Sequence, residues 1–228
     1  MKILKIAFAI VTVIFSLTLL SYSNVVYLKK FTFDEDRPLM HWHKMILNGE
    51  VSYTPVKDGD DGFIQALSNK ACSALYYRIK FKLNQYPLLS WRWKVVKFPG
   101  LPTLIEEKDK DDYAARVYVV FPFLSFSSSK FIEYVWAQNI PVGTIMKSPV
   151  ANNVRLIVAR SNKAGDGEWV NENRNVYEDY VKAFGEKPRM SVGAVAIMCN
   201  ANNSKTEAES FFDDIAIETY AGLKRRIE

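Results

Sequence analysis

From Tyr76 to Leu83 the chain alternates with a period of two. Tyr77, Ile79, Phe81 and Leu83 fall on one face, and Arg78, Lys80 and Lys82 on the other. That is a strand with one dry and one wet face. Similar patterning predicts strands at Phe31–Asp34, Glu50–Pro55, Gly62–Ser68, Leu88–Val96, Asp112–Phe121, Phe131–Ala137, Val154–Arg160, Ser191–Cys199 and Phe211–Thr219. "KDGDDG" (Lys57–Gly62) and "NKAGDGEW" (Asn162–Trp169) read as hairpin-like turns, because their Asp-Gly pairs supply positive φ. "FPGLP" and "EEKDKDD" mark a longer excursion between Val96 and Tyr113. One stretch, "NVYEDYVKAFGEKP", switches to a helical period. Val176, Tyr180 and Phe184 share a face there, Gly185 suits the C-cap and Pro188 the stop. Asn203 or Ser204 suits the cap of another short turn. Many short strands, one or two short helices and no internal repeat predict an all-β fold. The expected form is a single antiparallel jelly-roll β-sandwich, galactose-binding-like, over residues 24–228; a closed barrel is the alternative.

Residues 1–23 stand apart. Lys2 and Lys5 precede an uncharged apolar run, Ile6 to Leu20, and Ser21 and Ser23 are small residues before a cut at Asn24. The run is short against the roughly 20 apolar residues of a spanning helix. A cleaved export signal and an uncleaved N-terminal anchor both fit, and both place the domain outside the cytoplasm: periplasmic, or membrane-anchored and facing outward. Membrane contact is then expected only through this segment.

The formal net charge is +5, and "KRR" at Lys224–Arg226 is the one basic run. A nucleic-acid surface shows a clustered basic face, so no nucleic-acid partner is expected. Cys72 and Cys199 both lie in apolar, strand-like stretches; a disulfide and two buried thiols are equally compatible with that. No nucleophile elbow, phosphate loop or metal-ligand helix is present. The paired carboxylates Asp111/Asp112, Glu106/Glu107 and Asp213/Asp214 are adjacent residues, not groups facing each other across a substrate.

Candidate chemistry concentrates on two strands. In "PLLSWRWKVV", Leu89, Trp91, Trp93 and Val95 share the core face, opposite Ser90, Arg92, Lys94 and Val96. In "DDYAARVYVVF", Tyr113, Ala115, Val117, Val119 and Phe121 oppose Asp112, Ala114, Arg116, Tyr118 and Val120. If the two strands are neighbours, Arg92, Asp112, Arg116 and Tyr118 form one patch. A guanidinium fork suits hydroxyl pairs and anions, and Trp136 or Trp169 would stack on a sugar face. The expected partner is a glycan or cell-envelope component, bound without catalysis. The same residues also read as an internal ion pair, Arg116 with Asp112 or with a carboxylate on a neighbouring strand. Two alternatives stand beside this: a polysaccharide lyase or hydrolase with Tyr118 or Tyr180 as proton donor, and an envelope structural or assembly protein.

No cofactor is expected beyond a candidate structural calcium. Asp34, Asp213 and Asp214 are its ligand candidates, with Asp213 and Asp214 turned to opposite faces of a regular strand. His41 and His43 share one face of an extended segment; without a further ligand they read as part of an ordinary strand with Trp42 turned to the core.

"PLLSWRWKV", "DDYAARVYVVF", "FIEYVWA", "NENRNVYEDYVKAFGEKP" and "VGAVAIMCNANNSKTEAESFFDDIAI" together resemble the exported bacterial proteins of domain of unknown function 3047, over roughly Phe31 to Thr219. The resemblance implies an export signal followed by a β-sandwich similar to galactose-binding and carbohydrate-binding modules, and carries no established activity. Where the family is expected to have two aspartates after "VAIM", this chain has Asn200 and Asn202. A cation site there would bind more weakly; a turn cap would be unaffected.

Overall fold

A computed structural model describes residues 25–100, 111–125, 127–161 and 167–221. The N-terminal apolar segment, Glu106/Glu107 and the "KRR" run lie outside the described residues.

The described residues form two packed sheets. One contains β1 (Val25–Phe31), β3 (Ser52–Asp58), β4 (Asp61–Asn69), β6 (Leu88–Lys97), β11 (Val170–Asn175) and β13 (Glu207–Tyr220). Its order is β11-β6-β13-β4-β3. The long β13 pairs with β4 through its first half and with β1 through its second. The other contains β2 (Trp42–Asn48), β5 (Cys72–Phe81), β7 (Arg116–Phe121), β8 (Lys130–Ala137), β9 (Ile145–Lys147), β10 (Val154–Ser161) and β12 (Val192–Asn200), in the order β2-β5-β12-β7-β8-β10-β9. Every pairing is antiparallel except β8 with β10. This is the jelly-roll-type β-sandwich that the alternation implies.

The core lies between the sheets. Trp91 and Trp93 from β6 meet Tyr134 and Trp136 from β8, with ring centroids 5.2 and 5.6 Å apart. Trp42 also turns inward, against Phe31 and Tyr77. The helix α1 (Val176–Phe184) is capped by Asn175, whose Oδ1 accepts from the Glu178 amide, and stops at Gly185 with φ 72°. It packs onto core side chains: Tyr180 meets Phe121, and Asp179 accepts from the Tyr134 hydroxyl at 2.8 Å.

Several expectations change. β1 precedes the predicted Phe31–Asp34 strand. β2 extends the strand read around Trp42, while β9 and β11 lie outside the predicted strands; β11, "VNENRN", is a polar edge strand with little periodicity to read. "KDGDDG" is a true hairpin, with Asp58 opposite Asp61 and Gly59 at φ 63°. β10 and β11, on either side of "NKAGDGEW", belong to different sheets and do not pair with each other, and residues 162–166 of that segment lie outside the described residues. Cys72 and Cys199 are free buried thiols on adjoining strands, Cys199 opposite Ser73 and Cys72 opposite Asn200.

Gly62 opens the second strand of the hairpin directly beneath the Phe33–Asp34 crossing. A Cβ there would stand 2.3 Å from the Phe33 carbonyl oxygen, and the Gly62 amide donates to Asp34 Oδ1 at 2.7 Å. The obstacle is backbone, which cannot rotate aside. Gly62→Ala is expected to lower stability by about 1–3 kcal/mol, read by urea denaturation. Unchanged stability would mean that the crossing relaxes freely.

Candidate functional site

The outer face of the seven-stranded sheet carries a groove of ≈ 380 Å³. Strand register gives its layout. One row runs His43, Tyr76, Ala196, Tyr118, Glu133 and Leu156 across β2, β5, β12, β7, β8 and β10. The next row toward the Phe121 end of β7 runs Arg78, Ala194, Val120, Phe131 and Val154. The row on the other side runs Met45, Ala74, Met198, Arg116 and Val135. Two alanines on β12 therefore lie between tyrosines and longer side chains on β5 and β7. The outcome is a trench along β12, floored by Ala194 and Ala196 and closed at one end by Met198.

Beneath one wall sits a buried charge cluster. Arg116, with no exposed surface, donates from Nη1 to Glu133 Oε2 at 2.9 Å and to Asp111 Oδ1 at 3.1 Å. Nη1 also lies 3.2 Å from the Tyr118 hydroxyl, and Nη2 donates to the Asp111 carbonyl. The Tyr113 ring faces the guanidinium at 4.8 Å. The Tyr118 hydroxyl lies 3.1 Å from Met198 Sδ. Burial pushes the Glu133 carboxyl up to about 7 against the pull of Arg116, and pushes the Tyr118 phenol well above its ordinary value. Tyr118 thus stays a neutral wall of the trench, held by the cluster beneath it.

The expected patch of Arg92, Asp112, Arg116 and Tyr118 does not form. β6 and β7 lie in different sheets, so Arg92 and Arg116 stand on opposite outer faces of the sandwich. Only Arg116 and Tyr118 share the groove side. Arg116 pairs with Asp111 and Glu133, and Asp112 lies apart, accepting from the backbone amides of Asn203 at 3.1 Å and Ser204 at 2.6 Å. Asn200 completes that turn: its Nδ2 donates to Asp112 Oδ1 at 3.1 Å and to the Asp111 carbonyl, while its Oδ1 accepts from the Tyr113 amide at 3.1 Å. Asn200 thus serves this turn as donor and acceptor at once. Trp136 is a core residue, 2% exposed and packed against Trp93. Trp169 lies on the other sheet, over Arg92 at 4.6 Å and beside Phe63.

On that face Arg92 pairs with Asp213 and Asp214, two of the expected cation ligands. Its Nε donates to Asp213 Oδ2 at 2.8 Å and lies 3.4 Å from Asp214, and its Nη2 reaches Asp61. Asp214 adopts φ 51° within a register shift between Asp213 and Ala216, so both carboxylates reach Arg92 instead of facing opposite ways. Lys30 also pairs with Asp214, at 2.9 Å, and Asp34 is engaged by the Gly62 amide. Among the described residues, no three His, Cys, Asp or Glu side chains converge as metal ligands. Burial pushes the Asp213 carboxyl up to about 7 even beside Arg92.

Sequence reading missed Glu133, Tyr76, Arg78 and the alanine floor. The signal for Glu133 is in "FIEYVWA", a single acid in an otherwise apolar strand, matching the single arginine in "AARVYVVF".

The fold and its grooved outer sheet define an all-β sandwich module. Residues 40–216 match the family described as "Protein of unknown function (DUF3047)", and the chain belongs to that family. Among solved structures it is similar to the family 30 carbohydrate-binding module of a Clostridium thermocellum cellulosomal cellulase. That match has 11% identity and a TM-score of 0.43, covering 87% of this chain and 98% of that one. It is also similar to a cellulase derived from Rhodothermus marinus Cel12A (10% identity, TM-score 0.47, covering 86% of this chain and 100% of that one). A third is the xyloglucanase domain of NopAA from Sinorhizobium fredii (12% identity, TM-score 0.40, covering 78% and 92%). No curated protein matches the chain.

Two predictions follow from the cluster and the turn beside it. Glu133 keeps its proton to about 7 in the folded state against an ordinary 4.5, so the native state holds more protons between those values and stability falls as pH rises through them. Glu133→Gln lacks that component. Its stability relative to the parent is therefore expected to improve steadily from pH 5 to 7.5 in thermal melts; Asp213 contributes equally to both proteins and cancels. Asn200→Asp removes a buried donor and sets a carboxylate against Asp112. A loss of about 1–3 kcal/mol is expected, shrinking in acid, as measured by chemical denaturation at pH 7 and pH 4.

Proposed function

We propose that the protein is an exported, non-catalytic binding module, periplasmic or held outward at the membrane by its N-terminal segment, that takes a glycan or other cell-envelope component in the trench along β12. The observation that supports this reading is the pairing of a formed apolar groove with a rigid wall: Tyr118, clamped from below by the Arg116–Glu133–Asp111 cluster. Ligand sites are typically preformed grooves of about 300–1,000 Å³ with apolar walls and a few fixed polar groups. Preorganised walls spare a ligand the ordering cost of binding.

A second reading, a polysaccharide-acting lyase or hydrolase, draws on one observation. Glu133 lines the same groove beside Tyr118 with its carboxyl pushed up to about 7, the range that suits a general acid or base. Against it, Glu133 accepts from Arg116 and the neighbouring Asp111 accepts from the same guanidinium nitrogen, an arrangement that fixes a wall as well as it would serve chemistry.

Calorimetric titration with cell-envelope polysaccharides and lipid-linked fragments tests both readings. Ala196→Trp, which fills the trench, is expected to abolish binding, while Trp169→Ala on the opposite face leaves it unchanged. Binding lost with Trp169 and kept with a blocked trench would move the site to the other sheet. Product formation that disappears in Glu133→Gln with binding retained would make the protein an enzyme.

A further inference from the structure

We infer that the portion of the ligand held in the trench is an unbranched aliphatic chain ending in an anionic head group, with the chain on the Ala194–Ala196 floor and the head at Arg78 and Lys80. This rests on the trench being the binding site, and it names what the trench selects.

The lining is the first argument. Met45 and Leu47 from β2, Val120 from β7, Phe131 from β8 and Val150 and Val154 form the sides around the alanine floor. The lips are apolar too, with Met45 45%, Leu47 60% and Val150 67% exposed. A polyol would have to desolvate its hydroxyls against these walls without receiving hydrogen bonds in return. The polar groups along the groove are already engaged within the protein. Ser129 Oγ donates to the Ser125 carbonyl at 2.7 Å, Ser148 Oγ accepts from the Val150 amide, and Tyr118 and Glu133 are tied to Arg116. Methionines at the lip and at the closed end are adaptable surfaces for a flexible chain.

Shape is the second. Strands β5 and β7 flank β12, so their side chains stand about 10 Å apart across it. Alanine methyls between Tyr76 and Tyr118 leave a slot running with the strand, suited to an extended chain rather than a broad ring system.

Charge complementarity fixes the polarity of the ligand. Asp111, Glu133 and Arg116 carry no net positive charge to receive an anion at the Met198 end. At the other end of the trench Arg78 lines the groove, and Lys80, two residues further along the same face of β5, stands just beyond it beside Pro122 and Gly193. Among the described residues neither forms an ion pair; Arg78 lies 5.9 Å over the Tyr76 ring. A carboxylate or a phosphate monoester would satisfy them.

Calorimetry on the folded domain with octanoate, decanoate, dodecanoate, dodecan-1-ol, dodecyl phosphate and a neutral oligosaccharide tests this. Affinity is expected to rise about fourfold per added methylene at one-to-one stoichiometry, and to vanish in Ala196→Trp. Arg78→Ala combined with Lys80→Ala is expected to weaken dodecanoate about three- to tenfold and to leave dodecan-1-ol unchanged. Dodecyl phosphate binding more tightly than dodecanoate would assign the head as phosphate, the reverse as carboxylate; either order supports the inference. Should Ala196→Trp fail to fold, Leu47→Asp at the exposed lip serves the same purpose. Equal loss of alcohol and acid in the double variant, or aliphatic binding that survives trench blocking, overturns the inference. Trench-dependent binding of the oligosaccharide without any aliphatic binding also overturns it, while leaving the binding-module reading intact. Failure of every probe removes both.

Discussion

A guanidinium with no solvent contact organises one face of this protein. Arg116 sits in the middle of a sheet whose neighbouring strands are almost wholly apolar, and an unpaired charge there would be intolerable. It persists because Glu133 from the adjacent strand, Asp111 from the incoming loop and the Tyr118 hydroxyl surround it. Each of these partners has a structural consequence. Glu133 ties β8 to β7, Asp111 fixes the segment that leads into β7, and Tyr118 becomes the immobile wall of the trench. The turn at Asn202–Ser204, held by Asp112 and Asn200, braces the same segment from the other side.

The opposite face solves a related problem differently. Arg92 lies at the bulge of β13 and draws Asp61, Asp213 and Asp214 toward one nitrogen-rich centre. The guanidinium thus holds together carboxylates from β4 and β13. Trp169 covers the guanidinium and joins Phe63 and Phe211 beside Lys94. The aromatic ring that looked like an exposed sugar platform is therefore occupied by the protein's own cations.

The alternation of side chains carried most of the sheet structure, including the inward turn of Trp42, Trp91 and Trp93 and the helix with its glycine cap. It carried less about which strands touch. Arg92 and Arg116 stand on strands consecutive in the chain, and the natural expectation was adjacency; β6 and β7 belong instead to different sheets. Nothing local distinguishes a crossover from a long hairpin. Trp136 is a different kind of miss. Its parity with Ile132 and Tyr134 already places it on the core face of β8, so its burial was readable from period two alone. Asp111 and Asp112 show the limit of parity: the strand begins only at Arg116, and in the loop before it the two neighbours diverge by local geometry that no alternation rule describes.

Two isolated charges of opposite sign, one opening an apolar strand and one inside its neighbour, are a stronger signal than either alone. Arg116 demanded a partner inside the fold, and Glu133 was the acid placed at the same depth of a comparable strand. Once they are paired, the remaining outward positions of β12, Ala194 and Ala196, lose any need for large side chains, because Tyr118 and Tyr76 already cover the strands on each side. A sheet face that served only to shed water would carry polar groups at those positions. Small apolar residues flanked by fixed rings are instead how a sheet keeps a channel open while its walls cannot collapse inward. The buried ion cluster thus holds Tyr118, and with it one wall of the trench, in place from beneath.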